Sequence, residues 1–435
     1  MLREIAKSEL DRLEQLGVDL SQYPSVWKRE QFSAIAADHN RNINHMLWRA
    51  FQNRLTGQIP DPLMLTHIVT TRCNYSCHFC SFADTLNAKT KELSLEEIEK
   101  TYATLGENLN VIIYSGGETT LHPNLAEIIE AAYRLTPVKS VYIISNAWKP
   151  ERLFQITHRL MQRCPELHLT WSLSIEGKRE MNNSLRYTRQ SEWDAYQNTI
   201  DSLLGLQTMR DQFSYDQLDV QLCTVCSPDN ADQMDDWYEM VRDVLKPDKW
   251  NLNLMRKSVQ MSEHELASFE QRRQNAELEP FEEKYLEITN RIREDVLSGK
   301  LKFLYHTQSH NEGAMKSAVD LISQEQNRRT LLGNKDAFCC RAGTLGAYIG
   351  SEGDVSGCEE FAHNPQGQKV FGNLRSRNYD FQGIWHSATA QNLRSQVGNA
   401  PECYGCTLES QRNYPSILVS LKTLVRAKLL SEKIQ

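Results

Sequence analysis

The stretch Cys73-Asn-Tyr-Ser-Cys77-His-Phe-Cys80 closely follows the apolar run Leu63-Met-Leu-Thr-His-Ile-Val-Thr70. Three cysteines spaced C-x3-C-x2-C therefore sit in a loop just past a candidate buried strand. Three thiolates this close can hold three irons of a [4Fe–4S] cube and leave the fourth iron without a protein ligand. An open coordination position marks a reactive metal site rather than a structural one. Spacing alone also admits a zinc knuckle or a redox cysteine cluster. A tetrahedral zinc site needs a fourth ligand nearby, and His78 lies inside the short loop, badly placed to complete it.

A second apolar strand, Val111-Ile-Ile-Tyr-Ser, runs into Gly116-Gly117-Glu118. The cysteine loop after the first strand, Phe79 just before its third cysteine, and Gly-Gly-Glu after the second strand together resemble the radical S-adenosylmethionine (SAM) superfamily. The resemblance implies that the open iron binds the amino and carboxylate groups of the methionine part of SAM. One electron from the cluster then cleaves SAM to a 5′-deoxyadenosyl radical, which abstracts a hydrogen atom from substrate.

The 435 residues suit two or three structural units with sizeable cores. A composition of 40% hydrophobic and 24% charged residues is ordinary for a soluble protein. The net charge of −7 gives no global reason to expect nucleic-acid or membrane binding. No apolar run reaches the ~18 residues that span a bilayer. The first residues carry acid early and lack an apolar core segment, unlike a signal peptide. Eleven cysteines in a chain with a cytoplasmic character argue for metal or catalysis rather than disulfides.

From about 62 to 256 strands and helices alternate. Candidate strands are 63–70, 110–114, 140–145, 167–174, 218–225 and 250–255. Candidate helices are 94–106, 123–134, 150–163, 191–207 and 230–245, the first opened by the capping box Ser94-Leu-Glu-Glu97. Six such units imply parallel strands with right-handed crossovers, and the resemblance implies closure into a partial (β/α)6 TIM-like barrel. Chemistry is then expected at the carboxyl ends of the strands, where the motifs fall. Residues 1–60 read as a helical N-terminal cap with no alternating strands, which argues against a winged-helix leader-binding domain. Residues 257–335 read as a polar helical linker, with Glu263–Asn275 and Phe281–Leu297 as two solvated helices. Residues 413–435 read as an amphipathic basic C-terminal helix, more simply a docking helix than a membrane-surface one.

A second cysteine group, Cys340, Cys358, Cys403 and Cys406, falls within 336–412. Four thiolates can close an iron–sulfur cube or a zinc site, and cysteines alone do not separate these. Cys340-Arg-Ala-Gly343, a hairpin turning at Gly353-Asp354, Cys358-Glu, Gly372-Asn-Leu and a final Cys pair resemble the SPASM/twitch extension of radical SAM enzymes. That resemblance implies one auxiliary [4Fe–4S] cluster on these four residues, the shorter twitch form. Cys339 is set aside because Cys340 matches the Cys-x-Ala-Gly pattern.

The resemblance also assigns roles. Cys73, Cys77 and Cys80 hold the first cluster. Phe79 packs near adenine, Gly116 and Gly117 let the backbone approach the ligand, and Glu118 joins backbone groups on the SAM ammonium. Ser145 and Asn146 reach ribose or carboxylate, and so do Ser174 and Glu176. Arg186 pairs with the methionine carboxylate, a task suited to a guanidinium fork. Two departures touch this pocket: the usual Asp-Gly is Glu176-Gly177, and the usual His-Asp is Asn182-Asn183. Cys223 and Cys226 end the fifth strand without two further ligands, so they read as buried thiols, with Cys226 a candidate radical relay and the one catalytic candidate. Period two places Asn251 and Asn253 on the barrel interior and Leu252 and Leu254 outside, with Arg256 near the mouth.

The expected activity is hydrogen abstraction from a small metabolite, sugar- or aminoglycoside-like, with the auxiliary cluster assisting oxidation. The runner-up is a maturase acting on a ribosomally made peptide by cross-link, thioether or epimerisation. A non-enzymatic iron–sulfur electron carrier would need the cysteines but not Gly116-Gly117-Glu118. A solvent-accessible cube implies a reduced cytoplasm and a flavodoxin- or ferredoxin-type electron donor. No nucleic-acid or membrane partner is expected.

Overall fold

The protein, represented by a computed structural model, is described here over residues 59–188, 193–256, 262–301, 310–333, 340, 342–363, 369–400, 403 and 406. The expected N-terminal cap up to residue 58, the C-terminal helix and Cys339 lie outside the described residues.

Six parallel strands form the heart of one sheet: β1 (Met64–Thr70), β3 (Val111–Gly116), β4 (Ser140–Ser145), β5 (His168–Ser174), β7 (Leu218–Cys226) and β8 (Lys249–Leu254). Each boundary falls within two residues of the sequence expectation. A short β2 (Tyr75–Cys77) pairs antiparallel with β6 (Arg186–Thr188) in a separate ribbon. Helices fill the crossovers: α1 (Leu95–Tyr102), α2 (Leu125–Leu135), α3 (Pro150–Arg163), α4 (Arg179–Leu185), α5 (Ala195–Phe213) and α6 (Met234–Met240). The Ser94/Glu97 capping box is formed in both directions and opens α1.

Register divides the sheet into two unlike faces. The rows Ile143–Trp171–Val220 and Leu173–Leu222–Trp250 are apolar and buried under the helices. The other face carries Ile144–Ser172–Gln221 and Ser174–Cys223–Asn251, which line the concave interior. Asn251 and Asn253 lie on this interior face: Asn251 donates to Gln221 Oε1 at 2.9 Å and Asn253 to Cys223 Sγ at 3.2 Å. Leu252 and Leu254 are buried on the other side.

Two features depart from the expected layout. First, the C-terminal module is not merely appended. Its strand β9 (Gly346–Ile349) pairs parallel with β1, and β10 (Asp354–Ser356) and β11 (Gly372–Asn373) continue outward. The sheet therefore runs β11-β10-β9-β1-β3-β4-β5-β7-β8, with β8 at the far end. Second, the polar stretch after β8 is not simply solvated. It forms α7 (Glu263–Asn275), α8 (Pro280–Leu297) and α9 (His310–Leu331), and α8 buries Phe281, Tyr285, Ile288, Ile292 and Val296. These residues recur at helical spacing, so one apolar stripe packs inward, and Glu282 is buried beside it in an ion pair with Arg273. Helix α8 lies against β7 and β8.

The module is also held to α1 by side chains. Arg375 donates from Nε and Nη2 to the Glu97 carboxylate at 2.8 Å each, and Tyr379 OH adds a bond of 2.8 Å. Its small core stacks Phe381 on Trp385 within α11 (Phe381–Trp385), with Arg394, at the end of α12 (Ala388–Arg394), lying 4.4 Å over the Trp385 ring. Among the described residues no helix is long and apolar enough to cross a membrane.

Candidate active site

The cysteine loop leaves the carboxyl end of β1 and is clamped at its root. Asn87, in the left-handed region at φ 58°, accepts from Cys73 N–H at 3.0 Å and donates back to Cys73 C=O at 3.1 Å. Glu92 accepts from Thr70 Oγ1 at 2.5 Å and from Thr71 N–H at 3.0 Å. Further along, β2 aligns Cys77 opposite Arg186 on β6, so a residue 109 positions away reaches the loop by backbone pairing.

Gly116 and Gly117 serve a backbone contact that the sequence did not reveal. A Cβ on Gly116 would stand 2.2 Å from Thr70 O, and one on Gly117 2.3 Å from Arg72 O. The strand end packs this tightly because Gly117 N–H and Glu118 N–H donate to Thr70 and Arg72 carbonyls at 2.9 and 2.8 Å. The two glycines thus lock the Gly-Gly-Glu turn onto the root of the cysteine loop. Glu118 is buried and accepts from Thr120 N–H, Thr120 Oγ1, Ser145 Oγ and Asn146 N–H at 2.5–3.0 Å. Burial raises its pKa, and these donors offset part of that rise. Asn146 in turn donates to Asn74 Oδ1 at 2.9 Å, tying the end of β4 to the cysteine loop.

Glu176 and Arg186 form a buried ion pair. One carboxylate oxygen accepts from Arg186 Nε and Nη2, and the other from Val225 N–H at 2.6 Å. Both oxygens of Glu176 are thus engaged within the protein, so it braces Arg186 and the end of β7. Burial works against the Arg186 charge, but Glu176 together with Cys77 and Cys223 outweighs it, so the guanidinium titrates above its ordinary value. Arg186 Nη1 stands 3.6 Å from Cys77 Sγ, and its guanidinium lies 5.4 Å from the centre of the Phe79 ring. Asn182 Oδ1 accepts from Glu176 N–H at 2.9 Å, and Asn183 donates to Asp194 at 2.9 Å, so both asparagines of the second departure act as local braces. Ser174 faces the interior, opposite Cys223.

Cys226 does not reach that interior. Its thiol is buried on the outer face, 3.4 Å from Phe281 O, and burial pushes it up to about 12. Alternation explains this: Gln221, Cys223 and Val225 share one face, and Leu222, Thr224 and Cys226 the other. Cys223 is the interior thiol of the pair, and strand parity could have identified it. A cleft of about 760 Å³ beside Met255, Phe269 and Phe281 also lies behind this outer face, between α7 and α8.

The described residues bring the cysteines together in two sets. Burial pushes the Cys73 thiol up to about 11 and Cys77 to about 12, with each other and Cys80 as charge neighbours. Arg186 opposes this rise at Cys73, Cys77 and Cys80, as a cation beside thiolate ligands does. In the second set, Cys358 is buried with Ala342, Phe361 and Ala400 against Cys340 and Cys403, and Cys406 is a charge neighbour of Cys358. Backbone N–H groups already point at sulfur there: Ala342 to Cys340 at 3.5 Å and Gly398 to Cys403 at 3.3 Å. Amides directed at thiolate sulfur are the surroundings an iron–sulfur cluster uses. Among the described residues no three His, Cys, Asp or Glu side chains converge as a ligand set for a single ion; the thiolates of a cube bind separate irons.

Two cysteine sites on a partial parallel barrel define a protein built around iron–sulfur clusters. Residues 67–204 match the family model of the radical SAM superfamily, and residues 339–407 match the SPASM iron–sulfur cluster-binding domain. The chain belongs to the radical SAM superfamily, in its SPASM subgroup. SAM and [4Fe–4S] clusters are the cofactors of these domains. Native anSMEcpe with bound AdoMet and Cp18Cys peptide is similar in fold, with a TM-score of 0.52 and 12% identity over 86% of this chain and 100% of that one. Streptococcus suis SuiB bound to S-adenosylmethionine gives a TM-score of 0.48 at 13% identity, covering 89% of this chain and 78% of that one. GTP 3′,8-cyclase from Chlorobaculum tepidum is 33% identical over 79 residues, 18% of this chain. The chain spans about a quarter, 24%, of that curated relative.

Proposed function

We propose that this chain is a radical SAM enzyme acting on a small, polar, hydroxyl- or amine-rich metabolite. When bound, the first cluster and SAM supply reductive SAM cleavage to a 5′-deoxyadenosyl radical that takes a hydrogen atom from substrate. The observation that carries this reading is the clamped loop bearing Cys73, Cys77 and Cys80 at the end of β1, with Arg186 3.6 Å from Cys77 Sγ. In this reading those three thiols hold the cluster. Gly116, Gly117 and Glu118 fix the loop and offer backbone groups to the methionine part. Ser145, Asn146, Ser174 and Phe79 line the nucleoside side. Arg186, braced by Glu176, supplies a cation beside the ligand sulfur. Cys340, Cys358, Cys403 and Cys406 hold an auxiliary [4Fe–4S] cluster. When bound there, it would supply a one-electron acceptor for oxidation of the substrate. A flavodoxin- or ferredoxin-type protein donates the electron for SAM cleavage.

Ser172, Gln221, Asn251 and Asn253 give the interior a neutral lining of hydroxyl and amide groups, which suits a polyhydroxylated ligand. A peptide substrate is the second reading, favoured by the peptide bound to the similarly folded anSMEcpe. Anaerobic protein, SAM and dithionite should release 5′-deoxyadenosine. Perdeuterated aminocyclitols, offered beside a deuterated peptide library, identify the substrate by mass transfer into 5′-deoxyadenosine. Release from neither, with both clusters loaded, would refute the enzymatic reading. Transfer from peptides alone would replace the metabolite reading with the peptide one.

A further inference from the structure

Arg256 follows the end of β8, one end of the sheet, and its Nη1 donates to Glu359 Oε1 and, at 2.8 Å, to Glu360 Oε1. Those carboxylates open α10 (Glu359–Ala362), the short helix that starts directly after Cys358. The three side chains are 28%, 14% and 17% exposed, so the ion pair is largely withdrawn from water. It joins the free end of the barrel sheet to a cysteine-bearing segment that otherwise hangs from the opposite side, through β9 and β1. Close by, Phe82, two residues past Cys80, meets His363 edge-on at 4.7 Å, and His363 Nε2 lies 2.6 Å from Tyr348 OH. The loop of the first site and the helix of the second are therefore in contact around this pair.

The guanidinium is also a charge neighbour of both cysteine sets. It favours the thiolate of Cys80 on one side, and Cys406 favours the Arg256 charge on the other. Resting on the two-cluster reading above, we propose that Arg256 is a positioning residue placed between the two clusters, where its charge raises the reduction potential of the auxiliary cluster and its ion pair fixes that cluster against the barrel mouth. The physical argument is electrostatic. Each electron a cluster accepts adds a negative charge, so a fixed cation in a poorly solvated site stabilises the reduced form more than the oxidised one. Glu359 and Glu360 work the other way and also hold the guanidinium in place. The balance of one cation against two carboxylates sets how readily the auxiliary cluster takes an electron from a substrate radical.

The test is an EPR-monitored potentiometric titration, with dithionite as reductant, of anaerobically reconstituted full-length protein. Iron is counted in the same samples. The auxiliary signal is the one that does not change when SAM is added. Arg256→Gln should move its midpoint to more negative potential, Arg256→Lys should keep most of the wild-type value, and the double variant Glu359→Gln/Glu360→Gln should move it to more positive potential. Opposite signs from the two kinds of variant cannot arise from loosened packing alone. About eight irons in every sample with an unmoved auxiliary midpoint in both would overturn the inference while leaving the two-cluster reading intact. About four irons in the wild type would overturn that reading, and the inference with it.

Discussion

The three thiols of the first site lie on one eight-residue loop whose root is clamped by Asn87, Glu92 and the Gly116-Gly117 turn. The four thiols of the second come from three places in the chain, at 340, 358 and 403–406; Cys340, Cys358 and Cys403 gather on a small cluster of Ala342, Phe361 and Ala400, with Cys406 a charge neighbour of Cys358. The first site is built into the carboxyl end of the barrel and inherits its rigidity. The second depends on a hairpin that extends the sheet and on side-chain ties such as Glu97–Arg375 and Arg256–Glu359. A site fixed by backbone should fail abruptly when its ligands or glycines change. One fixed by side-chain ion pairs should loosen by degrees.

The largest expected effect is therefore at the first loop. Cys77→Ala should reduce the iron content of the reconstituted enzyme from about eight to about four and abolish 5′-deoxyadenosine release. The second site should keep its cluster, read as a remaining EPR signal on reduction. Loss of both clusters from this one change would break the contrast, because the sites would then depend on each other.

Gly117→Ala comes next. Its new methyl would meet the Arg72 carbonyl at 2.3 Å, and Arg72 C at 2.6 Å, and backbone cannot swing away as a side chain can. We expect the Gly-Gly-Glu turn to lift from the loop root, at a cost of roughly 2 kcal/mol or more in stability. SAM cleavage should fall at least tenfold, with iron content largely kept. Thermal unfolding and 5′-deoxyadenosine assays on one preparation separate the two outcomes. An unchanged rate would mean that the turn's close packing is incidental to the site.

How much of this was legible depended on how local the information was. Apolar runs such as Leu218–Cys226 and the Ser94/Glu97 capping box report on themselves, so the strands and the start of the first helix fell where expected. The polar composition of 257–335 hides the packing of α8, which Phe281, Tyr285, Ile288, Ile292 and Val296 carry. The brace of Glu176 on Arg186, the clasp of Glu97 on Arg375 and the pair of Arg256 with Glu359 join residues 10, 278 and 103 positions apart. Only the first lies within reach of a local motif. Parity along β7 was available and would have assigned Cys223, not Cys226, to the interior.

That assignment gives a smaller prediction. Cys226→Ala should lower stability by roughly 1 kcal/mol through the lost packing beside Phe281. It should leave SAM cleavage at the wild-type rate, since the thiol faces the helices. A variant that cleaves SAM but loses product would restore Cys226 as a relay and would require β7 to present its other face.

The smallest effect is expected at Glu97, where the second site's module meets α1. Side-chain bonding to Arg375 is the largest influence on this carboxyl and holds it well below the usual glutamate range. A carboxyl whose folded-state pKa is depressed stabilises the fold above its unfolded value of about 4.3, and that contribution fades as pH falls toward the folded value. The clasp should thus be fully present at neutral pH and weaken only in acid. Glu97→Gln should cost on the order of 1 kcal/mol at pH 7, a modest figure because the pair is partly solvated. The difference from wild type should shrink steadily below about pH 4. Hydrogen exchange gives the sharper reading: protection should drop in β11 and around Arg375–Arg377, while the cysteine loop at 73–80 stays as protected as in wild type. Equal loss at both places would mean that the module and the barrel open as one unit. Side-chain ties would then matter less than the shared sheet between β9 and β1, and the second site would be as firmly built as the first.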